Sequence, residues 1–106
     1  MTDILARLSQ EIDSRKGTDA KSSYTASLFE RGDDTILKKV GEEAVEFILA
    51  AKEEGTDHLI AEAADVWFHM LVMLSAKGLS ASDILAELER REGVSGHAEK
   101  ASRGNV

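Results

Sequence analysis

The chain has 106 residues, with 20 acidic and 13 basic side chains and a formal net charge of −7. This length favours a single domain, 1–106, and the negative charge argues against a broad basic surface for nucleic acid. No cysteine is present, which excludes disulfides and thiolate zinc sites and suits a reducing compartment. No uninterrupted run of about 18 apolar residues occurs and acids lie within the N-terminus, so neither a membrane span nor a secretory signal is predicted.

The composition predicts an all-α fold, because the chain has no proline and a good supply of Ala, Leu and Glu. A first helix is predicted over 3–15, with Thr2 as its N-cap, since apolar residues recur there every three or four positions. Residues 16–34 are polar and have no sustained period, which predicts a loop with one helical turn over 26–29.

Two longer helices are predicted to follow, with a short turn between them. The second helix begins after an N-cap at Asp33 or Asp34 and continues to about Glu53. Gly55 suits the end of this helix, and Asp57 suits the N-cap of the next. A turn this short predicts that the two helices form an antiparallel hairpin.

The third helix is predicted over 58–77 and contains the most apolar stretch of the chain. Its run VWFHMLVML, 66–74, is apolar except for His69. A helix that is apolar on every side is expected to be buried on every side. A chain of this length can hardly cover it alone, so a second subunit is predicted, and Gly78 ends the helix.

A fourth helix is predicted to start at a capping box formed by Ser80 and Asp83 and to run to about Arg91. A polar tail follows from Gly93. The predicted architecture is therefore a four- to five-helix bundle-type protomer with a central helical hairpin, assembled as a homodimer or a larger oligomer.

Two pairs of acids lie on the two helices of the predicted hairpin. Glu43 and Glu46 are three residues apart and share one helix face, and so do Glu62 and Asp65. Both cross-helix pairings, 43 with 65 and 46 with 62, have their midpoint at residue 54 of the turn. The four carboxylates therefore lie at matching heights, roughly 12 to 17 Å from the turn at about 1.5 Å per residue.

Four carboxylates that meet in one place would repel one another unless a divalent cation lies between them. Their donors are all oxygens, which favours Mg²⁺ first and Mn²⁺ second. A di-iron bundle normally carries Glu-x-x-His, whereas this chain has Glu-x-x-Asp. The competing interpretation is an ordinary solvated helix face, but charged residues beside so apolar a stretch are unusual unless they are paired.

Two lysines precede the acids of the second helix and complete a possible polyphosphate site. Carboxylate-bound Mg²⁺ typically contacts substrate phosphates. Lys38 and Lys39, one turn before Glu42 and Glu43, would contact the remaining phosphate oxygens. Such a site would orient water for attack on phosphorus and neutralise a leaving pyrophosphate, which predicts hydrolysis between the α and β phosphates of a nucleotide.

These motifs carry a resemblance to a known group of enzymes. Glu43-x-x-Glu46 followed by Glu62-x-x-Asp65 resembles the signature of the all-α, MazG-like nucleotide pyrophosphohydrolases. Within this group, the runs LKKVGEEAVE, DVWFH and EKASR closely resemble the phosphoribosyl-ATP pyrophosphohydrolase family. The similarity covers nearly the whole chain and is least specific over the first 20 residues.

The resemblance implies an enzyme of histidine biosynthesis that hydrolyses phosphoribosyl-ATP to phosphoribosyl-AMP and pyrophosphate with Mg²⁺, as a cytoplasmic homodimer. It implies that Glu43, Glu46, Glu62 and Asp65 are metal ligands. Glu42 is adjacent to them and is a candidate base, or a neighbour that orients a ligand. The candidate catalytic residues are thus Glu42, Glu43 and Glu46.

Further candidates for substrate contact are Lys38, Lys39, Tyr24 in the loop before the second helix, and Arg103 in the basic tail. Trp67 and Phe68 suit the stacking of an adenine, although core or subunit contact is the better interpretation, and His69 is expected to be a satisfied core histidine. Two rival functions remain open. One is a house-cleaning enzyme acting on non-standard nucleoside triphosphates, and the other is a non-catalytic helical dimer.

Overall fold

The computed structural model describes residues 3–53 and 55–104, and within these ranges it contains six α-helices and no strand. The helices are α1 Asp3–Ser14, α2 Tyr24–Arg31, α3 Asp33–Ala51, α4 Thr56–Ala76, α5 Ala81–Arg91 and α6 Gly96–Ser102. The all-α prediction is confirmed. The predicted N-cap Thr2 lies outside the described residues.

Helix α4 lies at the centre of the fold. It packs along α3 to form the predicted hairpin, and α1 packs against both α4 and α5, while α2 packs against α3. Helices α1 to α5 all contribute to one core. Its buried members are Ile12, Leu28, Ile36, Leu71, Val72, Leu74 and Ala81.

Helix α2 is longer than the single turn predicted over 26–29. Ser23 caps it, because its Oγ accepts a hydrogen bond from the N–H of Ala26 at 3.1 Å. Ala26 and Leu28 are buried, so the helix contributes one narrow apolar face to the core. Two turns are too short for the helical period to stand out among the polar residues around them.

Glycines, and not the predicted aspartates, are the N-caps of the two hairpin helices. Gly32 precedes α3 with φ 98°, and Gly55 precedes α4 with φ 112°. Both backbones are in a region that favours glycine, which lets the chain reverse direction just before each helix. The predicted caps at Asp33, Asp34 and Asp57 are therefore wrong. These acids lie in the first helical turns, where their negative charges interact favourably with the positive end of the helix dipole.

The ends of α4 and α5 agree with the sequence patterns. Gly78 has φ 79°, and the N–H of Leu79 donates to the carbonyl of Leu74 at 2.8 Å, as in a Schellman motif. At the start of α5, the N–H of Ser80 donates to Oδ2 of Asp83 at 2.9 Å. The predicted cap at Ser80 and Asp83 is confirmed.

The polar tail forms a sixth helix, which the sequence analysis missed. Ser95 caps α6 by accepting from the N–H of Ala98 at 3.0 Å. The carboxylate of Glu99 is buried and lies 2.8 Å from a guanidinium nitrogen of Arg90. Because ion pairs and not an apolar face hold α6 to α5, no hydrophobic period marks it.

Helix α4 is covered on only part of its surface by the rest of the chain. His69, Leu71 and Val72 are buried, whereas Trp67 is 60% exposed and Met70 is 39% exposed. The prediction that this helix is buried on every side is therefore not met within one chain.

The uncovered side of α4 opens onto an apolar groove of about 260 Å³ between α1, α4 and α5. The groove is lined by Leu5, Trp67, Met70, Leu71, Leu74, Ala81, Ile84, Leu85 and Leu88.

By length and composition alone, α4 could also cross a membrane, which the absence of a long apolar run did not anticipate. Glu62 and Asp65 interrupt the run without removing its high mean hydropathy. Core helices of soluble proteins meet the same criterion, so this is weak evidence for a span. Only 28% of the apolar stretch is buried, which leaves the rest open to a partner.

Polar contacts join α1 to the C-terminal half of α4. The buried Ser75 donates through Oγ to a carboxylate oxygen of Asp13. Lys16 donates through Nζ to the carbonyl oxygen of Ser75 at 2.7 Å and lies 5.5 Å from the ring centre of Phe29. These contacts tie the C-terminal half of α4 to α1 and to the residues that follow it.

Ser75→Ala should lower the free energy of unfolding by about 1–2 kcal/mol, because the charge-assisted hydrogen bond to Asp13 is lost while that carboxylate keeps partial access to water. Urea unfolding at one fixed protein concentration measures the change. The matched control is Ser14→Ala, which removes an exposed hydroxyl bonded within α1 at 2.6 Å and should change the free energy by less than about 0.5 kcal/mol. Equal effects of both substitutions would contradict the structural role of Ser75.

Candidate metal centre

Three of the four predicted acids meet between α3 and α4. Glu43 projects from α3, and Glu62 and Asp65 project from one face of α4. One carboxylate oxygen of each lies within 4.8 Å of the others. Glu43 is only 8% exposed, whereas a glutamate without a buried role normally lies on the solvent-exposed surface of a helix. We refer to Glu43, Glu62 and Asp65 as the acid cluster.

Glu46 lies at the edge of this cluster. Its side chain is exposed, and its carboxylate is not among the oxygens that lie within 4.8 Å of one another. It nevertheless acts on Glu62 electrostatically. Desolvation raises the pKa of Glu62, and the negative charges of Glu46, Asp65 and Glu43 raise it further. Glu46 is thus near enough to Glu62 for its charge to act on that carboxylate, but the structure does not bring it into the acid cluster with the other three residues.

The two oxygens of Glu62 are in different environments. Oε2 lies 3.2 Å from Nε2 of His58, whereas Oε1 is buried and has no hydrogen-bond partner in the described residues. A buried carboxylate oxygen without a partner is costly, and a cation would satisfy it. The donors around it are all carboxylate oxygens, so the residues fit a hard divalent cation such as Mg²⁺ or Mn²⁺.

Lys39 joins the acids of α3 on the side away from the hairpin turn. Its Nζ lies 3.5 Å from a carboxylate oxygen of Glu42 and 3.5 Å from one of Glu43. Desolvation opposes the charge of this lysine, but Tyr24, Glu43 and Glu42 together raise its pKa. Lys39 therefore stays positive beside the cluster, while Lys38 is exposed on the same helix.

Tyr24 and His69 connect α2 to the cluster. The hydroxyl of Tyr24 lies 2.8 Å from Nε2 of His69, and Nδ1 of His69 lies 2.8 Å from the carbonyl oxygen of Asp65. Because a carbonyl only accepts, Nδ1 is the donor. The expected satisfied core histidine is confirmed, since His69 is buried and both ring nitrogens are bonded.

The aromatic residues of α4 divide between the core and the surface. Phe68 packs against the core and stacks on Tyr24, with 6.4 Å between the ring centres and an angle of 27° between the planes. Trp67 instead lines the apolar groove. The preference for core or subunit contact over adenine stacking fits these positions. Tyr24 is half exposed, and its ring centre lies 5.8 Å from that of His69.

Arg103 lies in a different part of the described structure from the acid cluster. It follows α6 and its Nε lies 3.4 Å from Glu99, which also pairs with Arg90. Hydrogen bonds from Arg90 and Arg91 lower the pKa of the neighbouring Glu87 to about 2. The basic tail thus forms its own ion-pair network, and this structure places Arg103 in that network and not beside the hairpin acids.

The sequence analysis overlooked His58. This residue lies four positions before Glu62, on the same face of α4, and hydrogen bonds to it. The signal was present in the spacing, since residues four apart on a helix are neighbours. The spacing between His58 and Glu62 did not draw attention because His58 lies in the polar first turn of α4, outside the Glu62-x-x-Asp65 motif.

A known protein family matches most of the chain. The family model described as phosphoribosyl-ATP pyrophosphohydrolase matches residues 5–92, which include every residue of the acid cluster.

Curated relatives point to the same family. A phosphoribosyl-ATP pyrophosphatase of Methylibium petroleiphilum is 56% identical over 101 residues, covering 95% of this chain and 84% of the relative. Proteins of the same name from Burkholderia vietnamiensis and Burkholderia multivorans are each 56% identical over 105 residues, covering 95% of this chain and 87% of the relative. The chain therefore belongs to the phosphoribosyl-ATP pyrophosphohydrolase family.

Proposed function

We propose that the chain hydrolyses phosphoribosyl-ATP to phosphoribosyl-AMP and pyrophosphate, in histidine biosynthesis, at the acid cluster of the α3–α4 hairpin. The observation that carries the proposal is the convergence of Glu43, Glu62 and Asp65, with a buried and unpartnered oxygen on Glu62. The names of the family and of its relatives supply the substrate.

Glu43, Glu62 and Asp65 would hold Mg²⁺, with Mn²⁺ as a substitute, and Glu46 would join them from the edge of the cluster. When bound, the cation supplies positive charge that offsets the phosphate oxygens and orients the attacking water. Desolvation, followed by the negative charges of the neighbouring carboxylates, raises the pKa of Glu62, and a bound cation would relieve both effects.

The residues of α3 would bind the phosphates and accept the proton. Lys39 carries a positive charge directly beside Glu42 and Glu43, and Lys38 extends from the same exposed turn. Both lysines would contact phosphate oxygens and stabilise the charge that develops on the leaving pyrophosphate. Glu42 is exposed and lies next to the buried Glu43, so it is the carboxylate best placed to accept a proton from water.

Tyr24 would form one wall of the substrate site. Its hydrogen bond to His69 and its stacking on Phe68 hold the ring in place, and about half of its surface stays open. Arg103 is bound to Glu99 within its own chain while its side chain is half exposed. It would reach an anionic substrate only across a subunit boundary.

The proposed assembly is a homodimer that buries the apolar groove between α1, α4 and α5. The groove presents almost no polar surface, and its wall includes the exposed Trp67, Leu85 and Leu88. Aromatic residues in apolar surroundings are typical of the centre of a subunit interface. A second copy would cover the open side of α4, so the apolar helix would not need a membrane to cover it. The proposed compartment is the cytoplasm.

Purified protein with Mg²⁺ should release pyrophosphate from phosphoribosyl-ATP faster than from ordinary or modified nucleoside triphosphates. We expect a difference in kcat/KM of at least about tenfold, which corresponds to about 1.4 kcal/mol of transition-state preference. A coupled assay for pyrophosphate measures both substrate classes on one enzyme preparation. The reverse ranking would favour the house-cleaning function.

Asp65→Asn and Glu62→Gln should each reduce turnover by more than about 100-fold while the fold is retained. In Mg²⁺-free buffer both variants should melt at or above the temperature of the wild type, because each removes one of the mutually repelling charges. Mg²⁺ should raise the melting temperature of the wild type alone, since it binds only the intact folded site. Circular dichroism, thermal melting and the pyrophosphate assay measure these effects.

The matched control for these variants is Glu30→Gln, an amide substitution of an exposed glutamate on α2. It should leave both turnover and the Mg²⁺ response unchanged. Full activity in Asp65→Asn would contradict the proposed role of the acid cluster, whereas a wild type that releases no pyrophosphate would favour the non-catalytic helical dimer.

Trp67→Glu should convert the dimer to a monomer at micromolar concentration, because it places a charge in the apolar groove. Light scattering coupled to size-exclusion chromatography gives the mass. Val94→Glu is the control, since Val94 is 45% exposed but does not line the groove. A wild-type protein that is monomeric in this experiment would refute the proposed assembly.

A further inference from the structure

The first turn of α4 holds a histidine that the proposed mechanism does not use. His58 lies four residues before Glu62, and its Nε2 is 3.2 Å from Oε2 of that carboxylate. The imidazole side chain is 55% exposed, whereas the side chain of Glu62 is 17% exposed. A carboxylate accepts hydrogen bonds, so Nε2 is the donor. This contact uses the outward oxygen of Glu62.

The inward oxygen of the same carboxylate has no such partner. Oε1 of Glu62 is buried and unbonded in the described residues, and Glu62 belongs to the acid cluster with Glu43 and Asp65. The carboxylate thus has one oxygen bonded to His58 and one that is buried without a hydrogen-bond partner in the described residues. Without the contact to His58, rotation of the terminal torsion would cost little, because this torsion is broad in glutamates.

Lys39 stands in the same relation to the acid of the opposite helix. It lies four residues before Glu43 and its Nζ is 3.5 Å from Oε2 of that carboxylate. Each helix of the hairpin therefore provides a cationic or hydrogen-bond-donating side chain one turn N-terminal to its glutamate of the acid cluster. Because the two helices run in opposite directions, Lys39 and His58 flank the cluster from opposite ends.

We propose that His58 is a positioning residue, which holds Oε2 of Glu62 so that Oε1 points into the acid cluster and is available to the cation. This inference rests on the proposed metal-binding function of the cluster. Partners that hydrogen bond to metal-ligating carboxylates commonly change metal affinity by about 10- to 100-fold. His58 touches no substrate in this scheme and acts only through Glu62.

The experiment compares Mn²⁺ binding by the wild type with binding by His58→Ala, His58→Asn and His58→Gln. Gln carries an amide nitrogen at about the reach of Nε2, whereas the amide of Asn is one carbon shorter. We expect the Kd for Mn²⁺ to rise by about tenfold or more in the Ala and Asn variants and to stay near the wild-type value in the Gln variant. The signal of free Mn²⁺ in electron paramagnetic resonance measures the Kd directly.

Activity provides a second readout. The Mn²⁺ concentration needed for half-maximal turnover should rise in the Ala variant, while kcat at saturating Mn²⁺ stays close to that of the wild type. Arg15→Ala is the control for the loss of an exposed i,i+4 pair, since it removes the contact to Glu11 in α1. It should leave the Kd for Mn²⁺ unchanged.

The outcomes separate this inference from the proposed function. Equal Kd values for the wild type and His58→Ala would overturn the positioning role while leaving the metal site intact. A Gln variant as weak as the Ala variant would also overturn it, because the imidazole itself would then coordinate the cation. A wild type that binds no Mn²⁺ would overturn the proposed metal function, and this inference with it.

Discussion

The repulsion among carboxylates in the α3–α4 hairpin is the constraint on which the rest of this structure depends. Three acids meet within 4.8 Å, and one of their oxygens is buried without a partner in the described residues. Such an arrangement persists only if the surrounding packing is stiff enough to hold it. The core formed by five helices, and the polar joint between α1 and α4, supply that stiffness. The favourable free energy of packing the core thus maintains a group of carboxylates whose mutual repulsion is unfavourable.

The charges around the cluster are arranged so that the repulsion is reduced but not abolished. Lys39 pairs with the acids of α3 and His58 bonds to Glu62, and both contact the outer side of the cluster. A lysine placed at its centre would neutralise the acids and occupy the space of a cation. These two contacts leave Oε1 of Glu62 buried without a hydrogen-bond partner in the described residues, and this is the oxygen that the proposed cation would satisfy.

Helix geometry was sufficient to predict the hairpin and the meeting of three of its four acids, while Glu46 stays outside the cluster. The spacing of three within each pair and the shared midpoint depend only on helix geometry and a short turn. The same arithmetic failed where other forces decide. Gly32 and Gly55 are N-caps because of their backbone conformations, which no hydrophobic period in the sequence indicates. Helix α6 is held by ion pairs of Glu99, which produce no such period either. The exposure of Trp67 on the uncovered side of α4 could not be predicted either. The sequence shows that a helix is apolar, but it does not show which side of that helix the rest of the chain covers.

Helix α4 meets two demands that conflict within a single chain. Near the hairpin turn it must present Glu62 and Asp65 to a polar site, and farther along it must supply the apolar centre of the core. A small protomer has too much surface relative to its volume to cover such a helix completely. The open apolar groove is the consequence, and burying it against a second copy would stiffen the helix that carries two of the three acids of the cluster. The proposed assembly would thus support the site through the rigidity of α4, in addition to any contact that Arg103 makes across the subunit boundary.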